Sequence, residues 1–298
     1  QGAMFGGSIS AILINTPGTA AGAATGLDGY PMAKQGEAGK ALKMALYASC
    51  TGGLVGCIIL LAGAQTLSKV TLKFGPPEYF GLMVMSLVLI AGISGKSLIK
   101  GLLSAGLGLL CSTIGIELIY GARRFTFGSV DLMDGLANLS MFIGLFAFSE
   151  ILIELLKPGE ELDKKPEVEM KTGSSLSFKE YWSQKYNMLI SGVIGAFIGI
   201  LPGIGGSTAS FLAYAEAQRR SKNPKSFGTG NIAGIAAPEA ANNAVCGGAL
   251  VPMLTLAIPG DVVTAILIGA LIAQGIKPGP LMFVENIGDV YMIYIGLA

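Results

Sequence analysis

Residues 247–261 read GGALVPMLTLAIPGD, and residues 6–19 read GGSISAILINTPGT. Each stretch begins with two glycines, continues as an apolar run and contains a Pro-Gly pair, at 259–260 in one copy and at 17–18 in the other. Proline removes a backbone hydrogen-bond donor and glycine adopts angles that other residues avoid, so we expect a helix to break at each pair. The copies lie about 240 positions apart, which indicates two related halves of one architecture.

A third break is predicted at residues 199–208, which read GILPGIGGST. This stretch precedes the copy at 247–261, but nothing in the sequence precedes the copy at 6–19 in the same way. The sequence also opens on Gln1 and stops inside an apolar run at Ala298. We therefore expect a longer protein, in which a similar Leu-Pro-Gly break lies before position 1.

The composition is typical of a membrane protein. Hydrophobic residues make up 52% of the 298 positions and charged residues only 13%, whereas charged residues are about a quarter of a soluble domain. Backbone groups without partners are costly in hydrocarbon, so a break inside an apolar run is tolerated only within protein or beside a water-filled cavity. The sequence therefore predicts an all-α polytopic membrane protein with Gly/Pro-broken, re-entrant helices.

Apolar runs of about 20 residues, the length that crosses a bilayer as a helix, define the predicted spans. A polar stretch at 157–185 divides them, and we interpret it as a cytoplasmic linker. Residues 1–156 would then hold the C-terminal part of a first repeat, and residues 186–298 a truncated second repeat. The predicted spans are Ala41–Leu67, Pro77–Ser94, Leu98–Tyr120, Leu132–Leu156, Tyr186–Ala217, Ala233–Ile258 and Val262–Gln274, with a further one beginning at Leu281.

The basic residues indicate that the two repeats are inverted. If the run 186–217 is a re-entrant pair that folds back at Pro202, loops on one side of the membrane carry 15 of the 20 Lys and Arg residues. That side is the cytoplasm, because cytoplasmic loops carry the excess of basic residues. The loops that follow the two copies, Lys34–Lys43 and the one with Lys277, then lie on opposite sides, as in inverted repeats. The loops assigned to the cytoplasm are Lys34–Lys43, Lys96–Lys100, Lys157–Lys185 and Arg219–Lys225.

The residue types present exclude several activities. The chain has no histidine, which removes Ser-His and Cys-His catalysis, histidine proton relays and most zinc sites. Basic and acidic residues nearly balance, 20 against 19, so charge gives no argument for nucleic acid as a partner. We expect no enzyme activity. The cysteines all lie in apolar stretches and are interpreted as small packing residues: Cys50, Cys57, Cys111 and Cys246.

Polar side chains near the three breaks form the predicted binding site. Hydroxyls, amides and the N–H groups of half-helix starts attract anions, and carbonyl groups at half-helix ends bind Na⁺. Ionisable residues at membrane depth indicate function, so Glu239 and Asp261 are assigned to a coupling cation. The alternative for Glu239 is the first turn of a solvent-exposed helix that starts at Pro238. The residues assigned to an anionic substrate are Ser8, Asn15, Thr16, Gly18, Thr19, Ser207, Asn242, Asn243 and Gly260.

ATP is not supported as an energy source. Gly95-Lys96-Ser97 resembles the end of a P-loop, but the glycine that the motif requires five positions earlier is Ile90. An ion gradient therefore remains, and we expect no cofactor other than Na⁺ as a coupling ion.

Several long motifs along the chain are shared with a known family. They are Gly6–Thr19, Leu27–Gly36, Lys73–Phe80, Gly199–Gly206, Ala237–Ala244 and Ile258–Asp261. Together they resemble the signature of the large membrane subunit of the tripartite tricarboxylate transporters, the TctA family, over the whole chain.

The resemblance implies a cation-coupled carrier in the bacterial inner membrane that takes up citrate, other di- or tricarboxylates, or aromatic acids. It also implies two protein partners, a small four-span membrane subunit and a periplasmic solute-binding protein that delivers the substrate. The lipid bilayer surrounds the carrier, and nucleic acid has no part in its function.

Two other classes of protein stay open at this point. An intramembrane aspartyl protease would use Asp261 with Asp28, although Asp28 in the run Leu27–Pro31 is first interpreted as a turn residue. A channel or a purely structural membrane subunit is the other alternative. Saturable uptake that depends on a gradient distinguishes a carrier from a channel.

Overall fold

The computed structural model describes residues 1–78, 80–81, 84, 97–117, 120–137, 140–141, 143–148, 152, 155–156 and 175–297. Helices dominate these residues, with π-helical turns at Ala33–Glu37 and Ile143–Phe148, a 3₁₀ turn at Pro224–Ser226 and one short antiparallel pair of strands, β1 (Gly115–Ile116) and β2 (Arg123–Arg124). The α-helices are α1 (Gly2–Ile14), α2 (Gly22–Met32), α3 (Ala38–Thr71), α4 (Leu98–Ser112), α5 (Phe178–Ser183), α6 (Lys185–Ile200), α7 (Gly205–Arg220), α8 (Ala233–Leu256), α9 (Val262–Ala273), α10 (Met282–Glu285) and α11 (Ile287–Leu297).

The described residues fall into two compact units. The first holds residues 1–72, 175–261 and those from 278 onward, and it contains α1–α3, α5–α8, α10 and α11. The second holds the described residues between 73 and 156 together with Val262–Lys277, and it contains α4 and α9. The candidate site lies in the first unit.

Helix α8 is the centre of the first unit. All of its residues from Gly234 to Thr255 are buried except Cys246, which is half-buried. It packs against α1, α2, α3, α6 and α7. A helix that is buried on every side has to approach its neighbours around its whole circumference, and in α8 ten of the 24 residues are alanine or glycine, which allows this approach.

Glycines on both flanking helices let their backbones touch α8. Gly52 of α3 lies against the carbonyl oxygen of Ala240, and Gly195 of α6 lies against that of Ala241, so that a Cβ at either glycine would overlap the oxygen. The four-residue spacing within the pairs Gly52/Gly56 and Gly195/Gly199 is a sequence pattern that predicts this close helix packing. The other glycines in close contact along these seams are Gly56, Gly199, Gly247 and Gly248.

The two copies of the repeated motif end in the same backbone geometry. Asn15, after α1, has φ 56° and ψ 27°, and Ala257, after α8, has φ 55° and ψ 27°. The Thr16 N–H donates to the carbonyl oxygen of Ser10 at 3.4 Å, and the Ile258 N–H donates to that of Pro252 at 3.3 Å. Both bonds join residues six positions apart, one position more than the 6→1 bond of a Schellman cap. The helices therefore stop just before the Pro-Gly pairs, as predicted.

The third predicted break is also present. Helix α6 ends at Ile200 and α7 begins at Gly205, so the run predicted as Tyr186–Ala217 forms two helices that pack against each other. The predicted span Ala233–Ile258 ends at Leu256, and residues 247–256, which belong to the repeated motif, are helical throughout.

Several span predictions are wrong in the described residues. The span Leu98–Tyr120 is too long, because α4 ends at Ser112 and Gly115, with φ 129°, leads into the strand pair. The span Leu132–Leu156 does not begin as a helix, since residues 131–134 form a turn that leads to Gly135 at φ 80°. Most of the span Pro77–Ser94 lies outside the described residues.

The end of the predicted polar linker is a helix and not a loop. Residues 157–174 lie outside the described part of the chain, but residues 178–183 form α5, which a capping box between Ser177 and Glu180 closes at its start. The Lys40 Nζ lies 2.5 Å from a Glu180 carboxylate oxygen and so fastens α5 to the start of α3. The bond from Lys40, together with bonds from Ser177, lowers the pKa of Glu180 to about 2.

One continuous helical stretch in the described residues, Gly22–Thr71, is long and apolar enough to cross a membrane. Its main part, α3, has 34 residues and is about 51 Å long, compared with a hydrocarbon core of about 30 Å. Shorter apolar helices accompany it: Gly2–Ile14, Leu98–Ser112, Lys185–Ile200, Val262–Ala273 and Ile287–Leu297.

The close packing of α6 against α8 predicts that adding a single methyl group at Gly195 lowers the stability of the protein. Gly195→Ala should lower the free energy of unfolding by about 1–3 kcal/mol, because the new Cβ overlaps the Ala241 carbonyl oxygen. Gly106→Ala in α4 is the matched control: its Cβ meets nothing within 4 Å, and alanine is the better helix former by about 1 kcal/mol. Thermal unfolding of the two variants in detergent measures both effects. Equal melting temperatures would contradict the described seam.

Candidate functional site

A buried acid joins α8 to the first three helices. The Glu239 side chain is fully buried, and its Oε1 accepts hydrogen bonds from the Ser8 hydroxyl on α1 and from the Thr25 hydroxyl on α2 at 2.5 Å. Its Oε2 accepts one from the Ser49 hydroxyl on α3 at 2.8 Å. Three helices from the first part of the chain therefore contact one carboxyl group some 190–230 positions further on.

This geometry rejects the exposed-helix alternative for Glu239. The helix starts at Ala233 and not at Pro238, and Glu239 sits in its second turn with 0% of its surface exposed. A buried carboxyl is costly unless hydrogen bonds satisfy it, and here three hydroxyls do so. The same oxygen atoms suit a proton or a hard cation such as Na⁺, because a carboxylate binds a proton and because carboxylate and hydroxyl oxygens are ligands for hard cations.

Two asparagines follow Glu239 along α8. The Asn243 side chain donates from Nδ2 to the Glu239 backbone oxygen at 3.1 Å. The Asn242 side chain is fully buried, and neither Oδ1 nor Nδ2 has a hydrogen-bond partner. An unsatisfied buried group costs about 1–3 kcal/mol, so such an amide in a well-packed core calls for an explanation.

The break between α6 and α7 lies beside these asparagines. Gly206, in the first turn of α7, faces the Asn242 Oδ1 so closely that a Cβ there would lie 2.7 Å from it. We call the turn at each Pro-Gly pair the tip of its motif, Pro17-Gly18 in the first motif and Pro259-Gly260 in the second. The Gly203 N–H donates to the Gly260 carbonyl oxygen at 2.7 Å and so joins this break to the tip of the second motif. Three residues predicted for the substrate, Ser207, Asn242 and Gly260, thus lie at or next to one junction.

The tip of the first motif makes local contacts. Asn15 is exposed and caps α1, and Thr16 donates from Oγ1 to the Ile14 oxygen at 3.3 Å. Gly18 donates from its N–H to the Gly7 oxygen at 3.0 Å, and the Thr19 Oγ1 accepts from the Gly22 N–H at 3.2 Å. Of the residues predicted from this motif, Ser8 is the one whose described contacts reach Glu239.

The tip of the second motif packs back on its own helix in the manner of the first. A Cβ at Gly18 would meet the Cα of Gly7 at 3.0 Å, and a Cβ at Gly260 would meet the Cα of Ala249 at 2.9 Å. In both cases the partner lies eleven positions earlier. Asp261, the second residue predicted for the cation, follows this tip and is half-buried.

Sequence reasoning missed the role of Asp28. It lies inside α2 and not in a turn, and it is fully buried. Its Oδ1 accepts from three backbone N–H groups of the loop before α8, and its Oδ2 accepts from the Tyr214 hydroxyl at 2.8 Å. These donors hold the loop in position and occupy both carboxylate oxygens, which does not fit a protease that needs Asp28 as a catalytic acid. The loop donors are Gly228 at 2.9 Å, Gly230 at 2.9 Å and Asn231 at 2.7 Å.

The family of the chain is shown by its sequence as a whole. The model of the Tripartite tricarboxylate transporter TctA family matches residues 1–298, so the chain belongs to this family. The family is one of transport proteins, and the word tripartite implies partner subunits. No solved structure matches the chain.

Two relatives come from Agrobacterium vitis. The uncharacterized 52.8 kDa protein in the TAR-I ttuC' 3' region is 40% identical over 279 residues, which are 94% of this chain and 55% of that protein. The uncharacterized protein in the TAR-II ttuC' 3' region is 50% identical over 86 residues, 29% of this chain and 36% of that protein. The chain thus spans about half the length of the longer match.

The Asp28 cluster makes a prediction about stability. Asp28→Ala leaves three loop N–H groups and the Tyr214 hydroxyl without their acceptor, and should lower the free energy of unfolding by about 3 kcal/mol or more. Tyr214→Phe removes one donor only and should cost less, about 1.5–3 kcal/mol. Thermal unfolding in detergent, with limited proteolysis of residues 226–231, measures both. An Asp28→Ala protein as stable as the Tyr214→Phe protein would contradict this role.

Proposed function

We propose that the chain belongs to a secondary carrier that takes up small carboxylates, such as tri- or dicarboxylates, across the bacterial inner membrane. The observation that carries the proposal is the family match over all 298 residues. The geometry supports it through Glu239, a buried acid whose hydroxyl donors come from three other helices. Buried ionisable groups between membrane helices mark ion pathways.

The carrier is built from two inverted repeats that meet at the site. Residues 1–156 belong to the first repeat and residues 186–298 to the second, with a cytoplasmic linker at 157–185. The matching backbone angles at Asn15 and Ala257 and the matching caps that follow them support a common origin of the two tips. In transporters of this design the breaks supply half-helix ends to substrate and coupling ion.

Glu239 or Asp261 helps to hold a coupling cation, Na⁺ or H⁺. Glu239 supports this role by its burial and its oxygen neighbours, and Asp261 by its place after the Pro-Gly pair. The substrate carboxylates bind the hydroxyl, amide and N–H groups at the breaks. The residues proposed for the substrate are Ser8, Asn15, Thr16, Gly18, Thr19, Ser207, Asn242, Asn243 and Gly260.

The carrier works with two further proteins. A small four-span membrane subunit accompanies it in the bilayer, and a periplasmic solute-binding protein delivers the substrate. The word tripartite in the family description supports this assembly.

Uptake by the full-length carrier with its partners tests the coupling acid. Glu239→Gln keeps the size of the side chain but removes its charge and its proton, and should lower gradient-driven accumulation of a radiolabelled carboxylate by about tenfold or more. Glu216→Gln is the control, since Glu216 pairs with Arg219 near the end of α7 and has no proposed role. Membrane vesicles with an imposed Na⁺ or pH gradient give the measurement, matched for expression.

Three results would count against this proposal. Equal accumulation by the Glu239→Gln and Glu216→Gln carriers would remove Glu239 from coupling. Wild-type flux that does not saturate and shows no counter-flow would indicate a channel instead of a carrier. Wild-type vesicles that take up no carboxylate under either gradient would overturn the proposed function itself.

The two tips have their own test. Asn15→Ala and Asp261→Ala should each reduce uptake, because each removes a polar group next to a Pro-Gly pair. The measurement is initial uptake rate over a range of substrate concentrations, in vesicles that contain equal amounts of carrier. Unchanged uptake in both variants would exclude the tips from the site.

A further inference from the structure

The buried amide of Asn242 has no hydrogen-bond partner among the residues that the structure describes. Its Oδ1 and Nδ2 atoms are fully buried and make no hydrogen bond, whereas the amide of the neighbouring Asn243 donates to the Glu239 backbone. Most buried polar side-chain atoms have a protein partner, and an exception indicates a role other than stability. The unsatisfied amide lies against the first turn of α7, where Gly206 faces its Oδ1.

The first turn of α7 has donors of its own to offer. The first N–H groups of any helix lack partners within the helix, and a polar side chain at the N-cap usually satisfies one of them. Here the N-cap residue is Ile204, which gives no side-chain hydrogen bond. Helix α7 has 16 residues, so the partial positive charge at its start is fully developed.

This terminus can be reached from the surface. Leu201, Gly203 and Thr208 are exposed, and residues 205–207 are half-buried, so the first turn lies between the surface and Asn242 beneath it. The bond from Gly203 to the Gly260 oxygen holds the approach in place. A small ligand entering here would meet the N–H groups first and the amide behind them.

The donors present define the charge of that ligand. Helix N-termini attract anions and repel cations, which disfavours Na⁺ at this position. Residues 186–218 and 226–276, which carry α7 and Asn242, contain no Lys or Arg, so the donors that these two stretches offer are neutral. Neutral donors suit a singly charged carboxylate, whereas a doubly charged phosphate is usually bound with basic side chains.

We propose that one carboxylate group of the transported substrate binds at the start of α7, where the Asn242 amide turns so that its unpartnered Nδ2, in place of the Oδ1 that faces Gly206, donates to it. This inference rests on the proposed function, and it assigns the binding of one substrate carboxylate to one position, the start of α7, and to one side chain, Asn242. Gly206 belongs to the same site, because any side chain at this position would collide with the Asn242 amide.

Variants of Asn242 distinguish a role in substrate binding from a role in stability, because the KM for uptake and the melting temperature are measured on the same protein. Asn242→Ala should raise the KM for uptake of citrate or succinate by about tenfold or more, the loss of one good hydrogen-bonded contact. Its melting temperature without substrate should be equal to or above that of the wild type, because the variant removes an unsatisfied buried group. Asn242→Asp, of the same size, places a negative charge against the anion and should abolish saturable uptake.

Asn187→Ala is the matched control. The amide of Asn187 on α6 already donates to Gln184 and to the Ala233 oxygen. Its removal should lower the melting temperature and leave the KM unchanged, which is the reverse of the Asn242 result. Gly206→Ala should resemble Asn242→Ala in its KM, and keeps the test decisive if an Asn242 variant does not fold.

Ligand-induced thermal shifts of the purified full-length protein distinguish this inference from the proposed function. A citrate-dependent rise in melting temperature that disappears in Asn242→Ala supports the site even if vesicles show no uptake. Wild-type uptake with an unchanged KM in the Asn242 and Gly206 variants overturns the site and leaves the carrier function standing. An equal rise with inorganic phosphate overturns the assignment to a carboxylate.

Discussion

The burial of α8 on every side is the constraint on which the rest of the first unit depends. A helix without a solvent face cannot leave a charged group to water, so a buried acid on it needs partners on neighbouring helices. Glu239 finds Ser8, Thr25 and Ser49, and thereby fixes α1, α2 and α3 around one carboxyl group. The small residues of α8 make this possible, because they bring those helices close enough for short side chains to reach across.

Local chemistry explains what could be predicted from the sequence. The breaks near Pro17, Pro202 and Pro259 follow from residues adjacent in the chain, and so do the glycine seams of α3 and α6. Ser8 and Glu239 were predicted to share a site. The contacts of Glu239 with Thr25 and Ser49 could not be predicted, because these residues lie 214 and 190 positions away. Hydroxyl residues inside apolar helices were the available signal, but nothing in one sequence says which acid they meet.

The wrong predictions also have a physical reason. Apolar composition predicted helix beyond residue 112 and from residue 132, but it does not record where glycines at positive φ turn the backbone. Asp28 shows the opposite error, since a residue type typical of turns lies within a helix and serves a loop far along the chain. The composition of a segment indicates whether it lies in an apolar environment. The backbone angles of single residues, such as a glycine at positive φ, determine where its helices end.

The shared angles at Asn15 and Ala257 have unequal energetic consequences. Asparagine tolerates the left-handed region, whereas for alanine it costs about 1–2 kcal/mol. The backbone at Asn15 in the first tip therefore carries little strain, and the backbone at Ala257 in the second tip carries more. The cap and the contact between Gly260 and Ala249 hold Ala257 in this conformation. A motion that released this cap would relieve strain at the second tip and not at the first, so two tips with the same backbone angles differ in the energy stored there.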